Sequence, residues 1–369
     1  MRLALQKLTL RNFRNHAYTE LLLAGRNLVL FGANGSGKTN VLDAVSLLSP
    51  GRGMRRSPYV DMLRKGHEHE GWGVEACFTG HVDEGITMVT GVRADQPSKR
   101  LARLNGSDVA LNTFAEVCGL TWLTPRHDRL FLESAAERRR FLDRLVLSVF
   151  PQHGRLTNLF ERHMRERVKI LEMGDDEIWL TAVEEKLADA AWQLSQNRQS
   201  WVYQIAGELI EPEYGFPGCD VALIQPFGPL ITQIDSKSHY IELLKQRRNA
   251  DKAAGRLLIG PHRADLAGWY REKLMPAAQC STGEQKALLV SILIAHIKLL
   301  RSRDEYLPIL VLLDEIGAHF DPSRRKALAS VLLKLRAQAF LTGTEEHLFS
   351  DFGSDTLFVR LEDGKAYEC

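Results

Sequence analysis

The spacing of apolar positions divides the chain into stretches of different kinds. Leu3, Leu5, Leu8 and Leu10 nearly alternate with other residues, with one phase slip at Gln6 and Lys7. A period of two predicts one or two half-buried strands, and the slip predicts a bulge. Residues 27–31 form a short apolar run that stops at Gly32, as a buried strand does. From Lys38 the apolar residues fall at Val41, Leu42, Val45 and Leu48, which is helical spacing, and Ser49-Pro50-Gly51 ends it. Between residues 75 and 111, turn-rich text with strand-like pieces at 86–92 and 99–104 predicts an antiparallel meander.

From about Arg126 to Ile210 helical periods take over, and no proline interrupts the text between Pro151 and Pro212. A Pro/Gly-rich patch at 211–229 breaks this stretch, and a further helix is predicted over 236–248. Strand-like text returns at 256–259. A helix following Ser281, a very apolar strand at 307–313, a helix from Pro322 and a strand at 339–342 complete the series. The expected fold class is therefore α/β, with an antiparallel β-subdomain and an inserted helical arm. The expected domains are a first part of a head (1–125), the arm (126–250) and a second part of the head (251–369).

Composition narrows the class. The chain has 369 residues, and 48 Lys plus Arg against 46 Asp plus Glu leave a formal charge of +2. Apolar (44%) and charged (25%) shares match an ordinary globular protein and exclude wholesale disorder. No apolar stretch reaches the ~18 residues of a membrane span; the longest, 287–297, contains Ser291 and His296. The first residues carry Lys7, Arg11 and Arg14 without an apolar block, so no signal peptide and no membrane association are expected. Cys77, Cys118, Cys219, Cys280 and Cys369 are odd in number and contain no CxxC pair. That argues against a disulfide framework or a zinc site and fits a reducing cytoplasm. With the overall charge near zero, any nucleic-acid surface must be local.

Gly32, Ala33, Asn34, Gly35, Ser36, Gly37, Lys38 and Thr39 satisfy GxxxxGK[ST] between an apolar strand and a helix. Such a loop turns successive backbone N–H groups inward at a phosphate, and the helix start adds positive charge. Lys38, expected to face solvent, would reach the β- and γ-phosphates of ATP, and the Thr39 hydroxyl would ligate Mg²⁺. The apolar run at 310–313 leads into Asp314 and Glu315. Asp314 would hold the Mg²⁺ shell and Glu315 would polarise the attacking water. Ser281-Thr282-Gly283-Glu284-Gln285 matches the signature peptide of ABC-type ATPases. Serine with Glu284 three residues on is also an ordinary capping box. In this order with the other motifs, a second anion-binding helix start presented to a partner subunit is the better reading. The class is an ABC-type ATPase.

Several further features carry the choice within that class. No histidine follows the strand at 339–342 until His347, and the Q-loop region is expected at Thr124-Pro125-Arg126-His127-Asp128. An insertion of ~85–120 residues, folded back at 1.5 Å per residue, gives an arm of at most several tens of Å. Asn12-Phe13-Arg14-Asn15, Gly37-Lys38-Thr39-Asn40-Val41-Leu42-Asp43-Ala44, Gly51-Arg52-Gly53-Met54-Arg55, Arg138-Arg139-Arg140-Phe141-Leu142-Asp143, Gly260-Pro261-His262-Arg263-Ala264-Asp265 and the stretch 279–288 follow one another in order. Together they resemble the RecF family of recombination mediators along the whole chain, with Asp43 in place of the family's usual Glu and Gly53 in a serine position. The resemblance implies an ATP-dependent homodimer that binds DNA near junctions of single- and double-stranded DNA. It also implies cooperation with RecR and RecO in placing RecA. It supports Asn34, Gly35, Gly37, Lys38 and Thr39 at phosphate and Mg²⁺, and Arg14 and Asn15 close to the nucleotide. Asp314 and Glu315 stand as the Walker B acids, Ser281 with Gly283 as the signature, and Asp321 as a D-loop residue or simply a helix cap.

Arg52, Arg55, Arg56, Arg64 and Lys65 cluster just after the phosphate-loop helix and are candidate DNA-phosphate contacts; a solvated face is the alternative. Arg138, Arg139 and Arg140 with Asp143 are expected to form internal ion pairs. Arg162, Arg165, Arg167 and Lys169 are expected to form one solvated helix face. Two other classes compete. The energising subunit of a membrane transporter would carry a switch histidine, and a small-molecule P-loop kinase would leave 281–285 without a role.

Overall fold

A computed structural model describes residues 3–80, 85–174, 176–209, 215–225, 231–234, 236–315, 320–362 and 364–369. The chain divides into two compact units. The first comprises Met1–Asp128, Glu211–Pro217 and Ser281–Cys369; the second comprises Arg129–Ile210 and Gly218–Cys280.

In the first unit, β1 (Ala4–Phe13) and β2 (His16–Leu22) form a hairpin, and β3 (Asn27–Phe31) runs into the loop that opens α1 (Lys38–Ser46). Strands β4 (Trp72–Thr79), β5 (Ile86–Arg93), β6 (Gln96–Leu104) and β7 (Ser107–Asp108) follow, then α2 (Phe114–Val117) and β8 (Gly119–Leu123). Among the described residues, β2-β1-β4-β5-β6-β7 make one antiparallel sheet. Burial alternates residue by residue along β4, the mark of a sheet covered on one face. The slip at Gln6 and Lys7 is a real irregularity: the β1–β4 register shifts between Leu5 and Lys7.

The second unit holds α3 (Ala135–Val149), α4 (His153–Met173), α5 (Glu177–Glu208), β9 (Cys219–Ile224), α6 (Lys237–Gln246), α7 (Arg248–Ala254), β10 (Asp265–Tyr270) and β11 (Met275–Pro276). Helices α4 and α5 pack antiparallel around Phe160, Leu187 and Leu194, with Tyr240 and Leu257 closing the core. Arg167, expected on a solvated face, is fully buried. Its guanidinium donates to Glu184 at 2.9 Å, to Asp251 at 2.7 Å and to the Leu244 carbonyl at 2.8 Å. Helical spacing puts Arg167 on the inner face, and two carboxylates make its burial tolerable; removing one partner of such a set costs about 3–5 kcal/mol. That set also shows why 251–280 groups with this unit, although expected in the head: Asp251 completes it, and β10 pairs with β9 over Asp265–Tyr270. Residues 256–259 are not a strand. Leu257 and Ile259 are buried in this core, while the Leu258 N–H donates to the Asp251 carboxylate. Of the patch at 211–229, residues 211–214 and 226–229 lie outside the described residues, and 219–224 form β9. Arg138 pairs with Asp265 at 2.7 Å and Asp143 with Arg198, internal pairs with partners other than those expected, whereas Arg139 donates to the Ala264 carbonyl and Arg140 makes an exposed pair with Glu137 on its own helix.

The chain then returns to the first unit with α8 (Thr282–Arg303), β12 (Ile309–Leu313), α9 (Pro322–Lys334), β13 (Gln338–Gly343), β14 (Thr356–Glu362) and β15 (Lys365–Glu368). The second six-stranded sheet has the order β15-β14-β3-β13-β12-β8, parallel except at β15. Every residue of β12 is buried, as in a strand covered on both faces. Helix α1 lies between the two sheets, and Val41, Leu42 and Val45 join Leu8, Leu10, Leu312 and Phe340 in one core. Arg100 closes the turn that follows that helix. Its buried guanidinium donates to the carbonyls of the C-cap residue Leu47 and of Ser49 and Gly51 just beyond it. Burial pulls its pKa down to about 10.

Candidate nucleotide site

Strands β3, β13, β12 and β8 end side by side, at the edge where open parallel sheets bind ligands. The phosphate loop leaves β3 there. Gly32 and Gly37 have φ of +136° and +109°, and both approach other chain closely. A Cβ on Gly32 would stand 2.5 Å from the Leu361 carbonyl oxygen, and one on Gly37 would stand 2.6 Å from the Asn15 amide nitrogen. Only glycine fits either place. Gly37 caps α1 with no side-chain hydrogen bond, so the N–H groups of the first turn face outward without an acceptor from a cap. The back of the loop is anchored: the Ser36 carbonyl accepts from Asn15 Nδ2 at 3.3 Å and from the Gly364 N–H at 3.2 Å. Buried His16 lies 3.4 Å from the Gly37 carbonyl. Burial lowers the pKa of His16, which keeps the ring neutral.

Lys38 departs from expectation. It is only 5% exposed, and its ammonium donates to the Gly32 and Ala33 carbonyls at 2.6 and 2.8 Å. The side chain folds back across the loop onto these two carbonyls, with Asp314 and Glu315 close enough to act on its charge. Burial lowers its pKa while those two acids oppose the shift.

Thr39 Oγ1 lies 3.0 Å from Asp314 Oδ1, a contact between residues 275 apart in the chain. Asp314 is 8% exposed and Glu315 is exposed. Glu315 sits in the left-handed region at φ 54°, which costs a non-glycine residue about 1–2 kcal/mol. Its N–H is held by Thr342 Oγ1 at 2.9 Å, and the same hydroxyl donates to Asp314 Oδ1 at 2.7 Å. Residues 124–128 follow β8 beside these acids: the Asp314 N–H donates to the Leu123 carbonyl, and a small cavity is lined by Thr124, His127, Asp128, Lys286 and Asp314. His347 is exposed and pairs with Glu345.

Ser281 caps α8 in a full capping box. Its N–H and its hydroxyl both donate to Glu284 Oε2 at 2.8 Å, and the Glu284 N–H donates to its Oγ. Gly283 is open, with nothing within 4 Å of a Cβ. Asp321 caps α9 by accepting the Arg324 N–H at 3.0 Å and the Ser323 hydroxyl; those two donors hold its pKa below the usual value.

Arg14 directs its guanidinium to buried Asp43 at 2.6 Å and to Ser57 at 3.0 Å, so it braces α1, while its neighbour Asn15 meets the loop. Arg52, Arg56 and Lys65 are exposed and Arg64 is half-buried. Arg55 is exposed as well and reaches Asn40 of α1 at 2.8 Å; partial burial and then the nearby Arg14 lower its pKa, while Asp43 and Asp314 oppose the shift. Sequence reasoning missed Thr342 and the pair Lys286–Asp128 (3.4 Å). The signal for Thr342 was present in the text: a hydroxyl at the end of an otherwise apolar strand, just before Gly343.

These residues fit a nucleoside triphosphate and a divalent cation. The Ser36 hydroxyl is buried with no hydrogen-bond partner among the described residues, and the space around Gly35 is open. The loop therefore offers a donor and room where a polyphosphate would lie. Thr39 Oγ1 and Asp314 supply hard oxygen ligands of the kind Mg²⁺ takes.

The family model described as RecF/RecN/SMC N terminal domain matches residues 4–366. A DNA replication and repair protein RecF of Rhizobium etli is 42% identical over 374 residues, covering 99% of this chain and 99% of that protein. One of Agrobacterium fabrum is 41% identical, with 98% of each covered. Among solved structures, the recombination mediator protein RecF with ATP, of the RecFOR pathway, superposes with a TM-score of 0.83 at 19% identity over 100% of this chain and 98% of that chain. An SMC head domain of Pyrococcus furiosus does so at 0.53 and 16%, over 100% and 96%. The fold is that of an ABC-type ATPase head.

Proposed function

The chain belongs to the RecF family, and on that premise we propose that it is an ATP-dependent DNA-binding ATPase, two copies of which close head to head over ATP. Its function is in DNA replication and repair, as its relatives' names state. A transporter subunit is not favoured, because the relatives are DNA replication and repair proteins.

The observation that carries the reading is the 3.0 Å contact from Thr39 to Asp314, which brings the uncapped start of α1 beside the acid pair. In this reading the N–H groups of residues 32–39 and the Lys38 ammonium hold the β- and γ-phosphates. Thr39 and Asp314 hold Mg²⁺, which when bound neutralises phosphate charge. Glu315 orients the attacking water and accepts its proton. Ser281 and Gly283 read the γ-phosphate held by the second copy, with Asp321 facing the same junction. Arg14 and Asn15 lie close to the nucleotide, Arg14 bracing α1 and Asn15 holding the loop. Arg52, Arg55, Arg56, Arg64 and Lys65 are the proposed contacts to DNA phosphates, and Arg55 also links that loop to α1 through Asn40. Cytoplasmic location and work beside RecR, RecO and RecA on gapped DNA complete the proposal.

Sedimentation with and without ATP, Mg²⁺ and duplex DNA tests it. ATP-dependent dimers that bind DNA are expected, and Glu315→Gln should accumulate them while losing hydrolysis. Monomers that ignore both ATP and DNA would overturn the reading; parental hydrolysis by Glu315→Gln would remove Glu315 from its role.

A further inference from the structure

Thr342 stands at the centre of the acid pair without being one of its members. The parallel register sets Leu341 of β13 beside Leu313 of β12, so the next residues along, Thr342 and Asp314, are neighbours. On its other side Thr342 pairs with Leu30 of β3, which fixes its backbone between the two strands that deliver the site. The residue is fully buried. A hydroxyl has one proton, so its two contacts here have only one consistent polarity. The proton goes to Asp314 Oδ1 at 2.7 Å, and a lone pair takes the Glu315 N–H at 2.9 Å. Asp314 Oδ1 also accepts from Thr39. Both donors therefore converge on one carboxylate oxygen, and Oδ2 is left without a hydrogen-bond partner among the described residues.

We propose that Thr342 is a positioning residue of the nucleotide site, whose hydroxyl holds Asp314 with Oδ2 free for the divalent cation and fixes the left-handed backbone of Glu315. This rests on the ATPase reading above. Hydrogen bonds from behind a ligand set its direction and its basicity, and their loss commonly weakens metal affinity about 10- to 100-fold. Strand β13 is buried throughout and apolar from Ala339 to Leu341, so valine fits at Thr342 by volume and replaces the hydroxyl with a methyl.

The test uses the full chain as wild type, T342V, T342S and K38A, with ATP titrated calorimetrically in chelator and at rising Mg²⁺. T342V is expected to match wild type in chelator, yet to need about tenfold more Mg²⁺ for the Mg²⁺-dependent gain in ATP affinity. T342S should behave as wild type. Thermal melting checks the fold of each variant, and T342A replaces T342V if valine disturbs it. A hydroxyl-free variant with the parental Mg²⁺ dependence would overturn the inference, as would T342S failing alongside it. Failure of the ATPase reading looks different: wild type itself would show no Mg²⁺-dependent ATP binding, or K38A would bind as well as wild type.

Discussion

Two helix starts in the first unit have the same electrostatics and opposite preparation. Helix α1 begins at Gly37 with no side-chain cap and no acidic residue in its first turn. Helix α8 begins at Ser281 with both halves of a capping box closed and Glu284 in its first turn. The positive end of α1 is thus open to an anion, and the nearest cation, Lys38, is parked on the Gly32 and Ala33 carbonyls. The positive end of α8 is already answered by the Glu284 carboxylate, which also holds the Ser281 hydroxyl proton. A phosphate meeting α8 must displace that carboxylate. On the proposed reading the contrast separates their roles: α1, left open, takes the phosphate in the monomer, whereas α8, already capped, meets it only when a second copy brings it.

The largest expected effect lies at the open start. Lys38→Ala should lower ATP affinity about 100-fold, the equivalent of ~2.7 kcal/mol, because a charge-assisted contact is lost and the loop carbonyls lose their donor. Calorimetric titration measures it, and an unchanged affinity would erase the distinction drawn for α1. At the closed start, Ser281→Arg should leave ATP affinity of the monomer within about twofold but abolish ATP-driven dimers, since a bulky side chain cannot sit at a cap facing phosphate. Mixing it with Lys38→Ala should restore one intact composite site and part of the ATP-dependent DNA binding. If ATP affinity of the monomer falls instead, Ser281 acts within its own chain. The smallest effect sharpens the comparison most. Glu284→Gln removes the competing charge while keeping an acceptor for Ser281, so ATP should drive dimers at about threefold lower concentration, reflecting ~0.6 kcal/mol of charge at a helix start. Weaker dimerisation would mean that Glu284 helps the phosphate rather than competing with it.

What could be read from the text was local. The glycines at 32, 35 and 37, the apolar run into Asp314 and the Ser281–Glu284 spacing all encode their geometry within a few residues, and each is where the reading put it. Lys38 reads as solvent-facing because residue types do not show where a main-chain carbonyl points, and only the closed loop turns those of Gly32 and Ala33 onto its ammonium. Arg167 was misjudged because a helix face reads as solvated until Glu184 and Asp251 are known to stand opposite. The run at 256–259 has the apolarity of a strand, but its burial is among helices and the Asp251 carboxylate takes the place of a ladder partner. Strand β10 is not legible in the sequence because Asp265 and Gly268 break its alternation, and it forms through pairing with β9 and β11.

Strand β3 has a further consequence for synthesis. Its ladder partners are β13 and β14, with Leu28 beside Phe340 on one edge and Leu357 on the other. The later partner leaves the ribosome about 330 residues after β3, which at ordinary translation speeds is roughly 15 to 65 s. For that time the nascent chain carries an apolar strand with two open edges, the kind of template on which chains stick to one another. The second unit, by contrast, is complete once Cys280 has emerged, so the inserted unit can fold before the unit that brackets it. Factors that shield a nascent chain would therefore matter most for its earliest strand, and a shortage of them should appear first as aggregates nucleated at residues 27–31.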